Sequence, residues 1–166
     1  MGQFTEYIDE YKKQLQKGAI QKAYKGLMEY FMGLRTYLAG KYPNYFLSSN
    51  IYYGYMDMSY FSFSPRSLIE RKLKIALVFI HEGCKYEAWL AGANKQVQSK
   101  YWKLFKESDW NKYPIVASLK GVDAIIVHSL ADNPDFSDLD SLTKQIESKA
   151  VVFIKDIESF LSTHEI

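Results

Sequence analysis

The stretch of residues 50–92 constrains the fold more than any other part of the chain. It reads NIYYGYMDMSYFSFSPRSLIERKLKIALVFIHEGCKYEAWLAG. Three segments in it are rich in aromatic and β-branched residues and alternate with the period of two that is typical of strands: 51–63, 72–82 and 85–91. Pro65 separates the first two because proline cannot donate to a ladder, and Gly83 suits a hairpin turn between the others. The stretch predicts three consecutive antiparallel strands.

Helical patterns flank this meander. Apolar residues recur every three to four positions in four segments: 4–16, 19–39, 95–107 and 138–163. The apolar run 122–130 predicts a further, buried strand. The order α-α-β-β-β-α-β-α predicts an α+β fold with a mostly antiparallel sheet of four or five strands flanked by helices. A length of 166 residues predicts a single domain over 1–166.

Composition excludes several classes of protein. The 21 basic and 19 acidic residues give a net charge of +2, too little to predict binding to nucleic acid or anionic membranes from charge alone. The one cysteine, Cys84, allows no intramolecular disulfide and no cysteine metal cluster. The N-terminus lacks the apolar segment of a signal peptide, and no apolar run approaches a membrane span. We expect a cytoplasmic protein with no membrane partner.

Polar residues inside the apolar meander form the main candidate pocket. A carboxylate among apolar neighbours is costly to bury unless it is paired, so each one has a partner, lies at a strand end or lines a cavity. The cavity interpretation predicts a pocket with acidic and histidine side chains between aromatic walls: Tyr53, Tyr55, Asp57, His81, Glu87 and Trp89.

A second candidate site is a basic surface. Lysines concentrate in one region and alternate with aromatic residues such as Trp102, a combination that suits nucleic-acid binding: Lys72, Lys74, Lys85 and Lys95. Solvated lysines around an ordinary core explain the pattern equally well, and the acidic residues dilute the field.

Recognised catalytic and cofactor motifs are missing from the sequence. It contains no GxxxxGK[ST], GxGxxG or GxSxG motif, and the segment 92–95 before a helix is better explained as an ordinary turn than as an anion site. His81 and His128 are better explained as two separate structural histidines than as metal ligands. We therefore predict no catalytic residue, no metal and no cofactor.

The order α-β-β-β-α-β resembles the core of the restriction-endonuclease-like superfamily. That core carries an acid-x-lysine motif on its third strand, where lysine lies near the attacking water and carboxylates hold magnesium. Here the third strand offers Glu87-Ala88-Trp89, with tryptophan where the lysine should be. The resemblance lies in element order alone, and it implies a fold relative without nuclease activity.

A second resemblance covers nearly the whole chain. It is carried by KGAIQKAYKGLMEYFMGLRTYLAGKYP, NIYYGYMDMSYF, LKIALVFIHEGCKYEAWLAGANKQVQSKYWKLF and SDWNKY. In these segments the chain resembles a family of small bacterial proteins described only as a domain of unknown function. The resemblance implies a bacterial origin and a single-domain boundary, and it supplies no mechanism.

Three functions follow as hypotheses. The first is a non-catalytic binding or interaction domain that uses the aromatic surface near Tyr53, Tyr55, Trp89 and Trp102, with a homodimer among the options. The second is a small-molecule pocket or enzyme that uses Asp57, Glu87 and His81. The third is a weak nucleic-acid binder that uses the lysine region. The last helix carries a seam that suits packing within the chain, against the sheet or the helix 19–39, or a dimer contact, and packing within the chain is favoured.

Overall fold

A computed structural model describes residues 2–164 of the chain. Within them the helices are α1 (Gly2–Lys17), α2 (Ala19–Lys41), α3 (Arg66–Glu70), α4 (Lys95–Glu107) and α5 (Leu139–Thr163). The strands are β1 (Phe46–Leu47), β2 (Met58–Ser64), β3 (Leu73–Ile80), β4 (Lys85–Gly92) and β5 (Ile126–Ala131). The predicted α+β class and the antiparallel sheet are confirmed.

The chain divides into two compact units, Met1–Thr36 and Tyr37–Ile166. The first contains α1 and most of α2, which are joined at Gly18. That residue has a φ of +81°, a left-handed conformation that glycine adopts without steric cost and that commonly ends a helix. The second contains the last turn of α2, the whole sheet and the remaining helices.

The sheet is a meander in which each strand pairs with its neighbours in sequence, in the order β1-β2-β3-β4-β5. All four pairings are antiparallel. The register places Leu77 of β3 between Phe61 of β2 and Ala88 of β4. The three strands predicted from the central stretch are therefore neighbours in the sheet, as their alternation indicated.

Helix α5 covers one face of this sheet. It packs against β5 and β4, and its apolar seam is buried at Leu142, Ile146, Ala150, Phe153, Ile157 and Leu161. On β3 the residues Leu73, Ile75, Leu77 and Phe79 are each no more than 1% exposed. The seam on the last helix thus packs within the chain, which is the favoured one of the two sequence interpretations.

The prediction of a continuous strand over 51–63 is wrong in its first half. Tyr52 forms an isolated antiparallel bridge with Tyr60, so the chain reverses between them. Gly54 has a φ of 74° and Met56 a φ of 63°, and these left-handed residues form the turn. The sequence also gave no indication of the two-residue β1 or of the short α3.

Candidate functional site

The face of the sheet opposite α5 carries a cleft. On the α5 side, Ala88 pairs with His128, whose ring stacks on Phe153 of α5 at 5.4 Å between centroids. Because side chains alternate along a strand, Trp89 projects to the other face, beside its β3 partner Ala76. That face borders a cleft of about 950 Å³.

The cleft has an aromatic floor and two polar rims. Tyr60 of β2 and Trp89 of β4 belong to its lining, and both rings are half-buried. One rim is the start of α4, and the other is the loop 119–123. All of these segments belong to the unit Tyr37–Ile166.

Local hydrogen bonds fix the rim formed by α4. The Asn94 side chain caps the helix by accepting from the amide of Val97 at 2.9 Å. The Gln98 side chain accepts from the amide of Gly92 at 2.7 Å and donates to the carbonyl of Val122 at 3.4 Å. Gln98 is 8% exposed, so its amide is a buried connector between β4, α4 and the loop.

Gly92 is required where β4 meets α4. A Cβ at this position would lie 2.5 Å from the backbone nitrogen of Gln98 and 2.9 Å from its Cα, which is closer than side-chain carbons approach backbone atoms. The absence of a side chain therefore allows the first turn of α4 to lie directly against the end of the strand, at the margin of the cleft.

The charges around the cleft are mainly positive. Lys74, Lys95 and Lys120 border it, and Asp123 is the one carboxylate among the described residues of the lining. Lys74 lies over the Tyr60 ring with its Nζ 5.8 Å from the centroid. Within residues 2–164 none of the three lysines forms an ion pair. The first turn of α4 adds the positive end of a helix dipole to this field.

Of the six predicted pocket residues, Trp89 lines the cleft. Glu87 lies two residues before it on the same face, and its carboxylate accepts from the Trp89 indole nitrogen at 2.9 Å. The same carboxylate lies 3.4 Å from the Nζ of Lys85. Glu87 is thus paired within its own strand, by Trp89 and Lys85.

Asp57 and the two tyrosines lie elsewhere, at the tip of the turn before β2. The Asp57 carboxylate accepts from the amide of Tyr55 at 2.9 Å. This bond and the one from Met58 lower the pKa of Asp57. Tyr53 is 47% exposed and Tyr55 is 89% exposed. A ligand role for these residues stays a prediction.

His81 contacts a buried serine. Its Nε2 lies 2.8 Å from Oγ of Ser59, and that hydroxyl donates to the carbonyl of Tyr53 at 2.5 Å. With its proton committed to a carbonyl, Ser59 accepts from the imidazole, and at 0% exposure it is not reachable as a nucleophile. Burial lowers the pKa of His81, while the charge of Asp57 opposes that shift.

The four predicted basic residues separate into two groups. Lys74 and Lys95 border the cleft. Lys85 pairs with Glu87, and Lys72 is exposed in a turn with a φ of 60°. Lys120 also borders the cleft, together with Lys74 and Lys95. It belongs to a loop that no sequence pattern connected to β3 or β4.

His81, in the turn after β3, and His128 of β5 have different neighbours. His128 packs on Tyr113 at 4.4 Å and on Phe153, and burial lowers its pKa. His81 instead packs edge-on against Phe79 at 4.8 Å. Across residues 2–164 no group of three His, Cys, Asp or Glu side chains could hold a metal ion.

Sequence reasoning missed a buried carboxylate on α5. Glu147 is 7% exposed. Its Oε1 accepts from the Tyr37 hydroxyl at 2.8 Å, and its Oε2 accepts from the Tyr42 hydroxyl at 2.6 Å and lies 2.7 Å from Nζ of Lys41. Burial opposes the charge, but the three donors outweigh it and hold the pKa of Glu147 below its usual range. We call these four residues the Glu147 cluster.

Comparison with known proteins gives a family and no activity. Residues 4–161 match the model of a family described as a domain of unknown function, DUF7000. The chain belongs to this family. No curated protein and no solved structure matches the chain. Membership agrees with the second resemblance found in the sequence and extends over both compact units.

A membrane-spanning helix is not found within residues 2–164, because none of the described helices is both long and apolar enough. The longest, α5, has 25 residues but carries charged side chains such as Lys149 and Asp156 along its length.

Proposed function

We propose that this DUF7000 domain is a non-catalytic binding domain that takes a small, planar organic anion in the cleft. The observation that carries the proposal is the charge of the lining: three lysines without ion-pair partners among the described residues face a single aspartate. Unpaired like charges repel one another, so an arrangement of this kind is stabilised when an anion enters.

The aromatic floor supports the planar part of the ligand. Trp89 and Tyr60 line the cleft, and aromatic rings of this type stack on planar heterocycles. The volume of about 950 Å³ lies within the range of small-molecule sites, which is roughly 300–1,000 Å³. An anion of mononucleotide size has both the ring and the charge that this lining complements.

Titration of the intact chain tests the proposal. Tryptophan fluorescence is followed while AMP, adenosine or inorganic phosphate is added, since Trp89 lies in the cleft. We expect AMP to bind more tightly than either fragment, because it alone supplies both the ring and the charge. Equal affinity for AMP and adenosine would show that the lysines do not recognise the ligand, and the absence of any response to AMP would reject a mononucleotide-sized anion.

Matched lysine variants locate the site. Lys74→Ala and Lys120→Ala each remove one cation from the lining and are expected to weaken AMP binding by about tenfold, the effect of losing one charge-assisted contact. Lys103→Ala removes a cation from the exposed surface of α4, outside the lining, and is the control. If all three variants lose the same affinity, binding follows net charge and the cleft is not the site.

A second candidate function rests on the turn before β2. Tyr52, Tyr53, Tyr55 and Met56 form an exposed apolar tip, with Tyr55 exposed to 89%. Exposed apolar patches of this kind mark contacts with other proteins.

A cytoplasmic location, a bacterial origin and the single domain over 1–166 stay predictions from the sequence, as does nucleic-acid binding. Affinity for an oligothymidylate that falls steeply with added salt would favour nucleic acid over a small anion.

A further inference from the structure

Helix α1 carries an apolar stripe that the fold leaves exposed. The helix has no buried residue, and Phe4, Tyr7 and Tyr11 are 64%, 62% and 59% exposed. Ile8 and Leu15 complete the stripe and are half-buried. Most of the stability of a helix in a protein comes from packing of its amphipathic face rather than from helix propensity. Because none of the 16 residues of α1 is buried, its stability calls for a surface that covers the stripe.

The spacing of the stripe suits a second helix. Phe4, Ile8, Tyr11 and Leu15 are separated by four, three and four residues, which is the repeat of a two-helix seam. An antiparallel partner brings Phe4 of one copy to Leu15 of the other and Ile8 to Tyr11. Both contacts form in a single register of the two helices, because the residue numbers 4 and 15 have the same sum as 8 and 11.

The charges of α1 select the antiparallel orientation. Glu6, Asp9 and Glu10 lie in its first ten residues, and the lysines Lys12, Lys13 and Lys17 follow them. In a parallel pair the acidic halves would lie side by side and the basic halves likewise, with repulsion in both. In an antiparallel pair each acidic half faces a basic half, which is favourable and sets the register.

We infer that α1 is a self-association element, and that two copies of this chain pair through antiparallel α1 helices. The inference is independent of the cleft. At 1.5 Å per residue the seam from Phe4 to Leu15 is about 17 Å long. A two-helix contact of this length buries less than the area of about 1,200 Å² or more that a standard interface has. The dimer is therefore weak and forms with increasing protein concentration.

Sedimentation velocity of the full chain over a concentration series provides the first test. We expect the mass to rise from the 19.3 kDa of one chain toward twice that value. Tyr11→Glu places a charge in the middle of the seam and is expected to keep the protein monomeric at the same concentrations. Gln16→Glu makes the same change in charge on the polar side of α1 and is the control, with self-association retained.

Orientation is tested by cross-linking in a Cys84→Ser background. In the antiparallel register Thr5 of one copy flanks Lys12 of the other. A mixture of Thr5→Cys and Lys12→Cys chains is expected to form a disulfide dimer, whereas Thr5→Cys alone is not. Cross-linking of Thr5→Cys to itself would indicate a parallel pair and overturn the orientation.

Three outcomes would overturn the inference as a whole. One is a monomeric wild-type chain at every concentration. The second is a dimer that Tyr11→Glu does not weaken, because the contact would then lie elsewhere. The third is binding of α1 to anionic phospholipid vesicles by a monomeric chain, lost in Tyr11→Glu, which would assign the stripe to a lipid surface. Circular dichroism verifies that Tyr11→Glu keeps its fold, as expected for a residue 59% exposed.

Discussion

The Glu147 cluster and the cleft are two charged regions of the same unit with opposite arrangements. At Glu147, one carboxylate that is 7% exposed receives three donors, so its charge is compensated within the fold. At the cleft, three lysines border an open space with one aspartate and have no ion-pair partner within residues 2–164. Charge that is compensated within the fold contributes to stability, whereas the charge of the cleft stays available for the anion that we propose as its ligand.

The largest effect is expected at Glu147. Glu147→Ala removes the acceptor of Tyr37, Lys41 and Tyr42, and we expect the free energy of unfolding to fall by about 3 kcal/mol. Urea denaturation measures the change. Glu107→Ala, at an exposed carboxylate on α4, is the control and should stay within about 0.5 kcal/mol of the parent. A similar small loss at Glu147 would remove the contrast between the two regions.

The pH dependence of stability sharpens the same contrast. Because the folded-state pKa of Glu147 lies below its ordinary value of 4.5, the unfolded chain binds the proton more readily than the folded one. Its contribution is present above about pH 4.5 and is lost as the pH falls through the folded-state pKa. Glu147→Gln should therefore lose less stability than the parent between pH 6 and pH 3. If the stability of the variant and of the parent falls equally with pH, another carboxylate, such as Asp156, dominates acid unfolding.

A smaller effect is expected at Tyr42. Burial and the hydrogen bond to Glu147 raise the pKa of this phenol to about 12. Tyr42→Phe keeps the ring contacts with Tyr45 and Phe63 and removes one donor, so we expect a loss of about 1 kcal/mol in urea denaturation. In the double variant of Tyr42→Phe and Glu147→Ala, the missing hydroxyl should cause no stability loss beyond that of Glu147→Ala alone. Full additivity would mean that the two side chains act independently.

The smallest effect on stability is expected at the cleft. Lys120 is exposed and unpaired among the described residues, so Lys120→Ala should change the free energy of unfolding by no more than about 0.5 kcal/mol. The same variant is expected to weaken AMP binding. A loss of stability comparable to that of Glu147→Ala would assign Lys120 a structural role and remove the basis of the proposed site.

Local patterns in the sequence predicted much of the fold. The bounds 95–107 of α4 coincide with the observed helix, because Asn94 caps it and its apolar residues recur with helical spacing. The pairing of β3 with β4 followed from two alternating segments around Gly83. The turn at residues 53–56 was missed because its aromatic residues alternate as those of a strand do, although Gly54 followed by Asp57 was a signal for a turn.

The candidate site was less accessible to sequence reasoning because it depends on tertiary contacts. Trp89 was predicted from its position on β4, but the loop with Lys120 reaches the cleft through the contact of Gln98 with Val122, which no local pattern encodes. In the sequence pattern, Glu147 does not differ from the other polar residues of an amphipathic helix. Only its burial beside Tyr37 and Tyr42 distinguishes it from an exposed residue of the same helix such as Lys149.

The meander has a consequence for how the chain folds. Strands β1 to β4 follow one another closely in sequence, so this part of the sheet can assemble from local pairings with little loss of loop entropy. Strand β5 joins them across the segment 93–125, which contains α4. The bonds from Tyr37 and Tyr42 to Glu147 instead close loops of 110 and 105 residues. Rapid formation of the sheet, followed by late docking of the end of α2 on α5, is the folding order that this topology favours. Substitutions in the Glu147 cluster would then speed unfolding more than they slow folding.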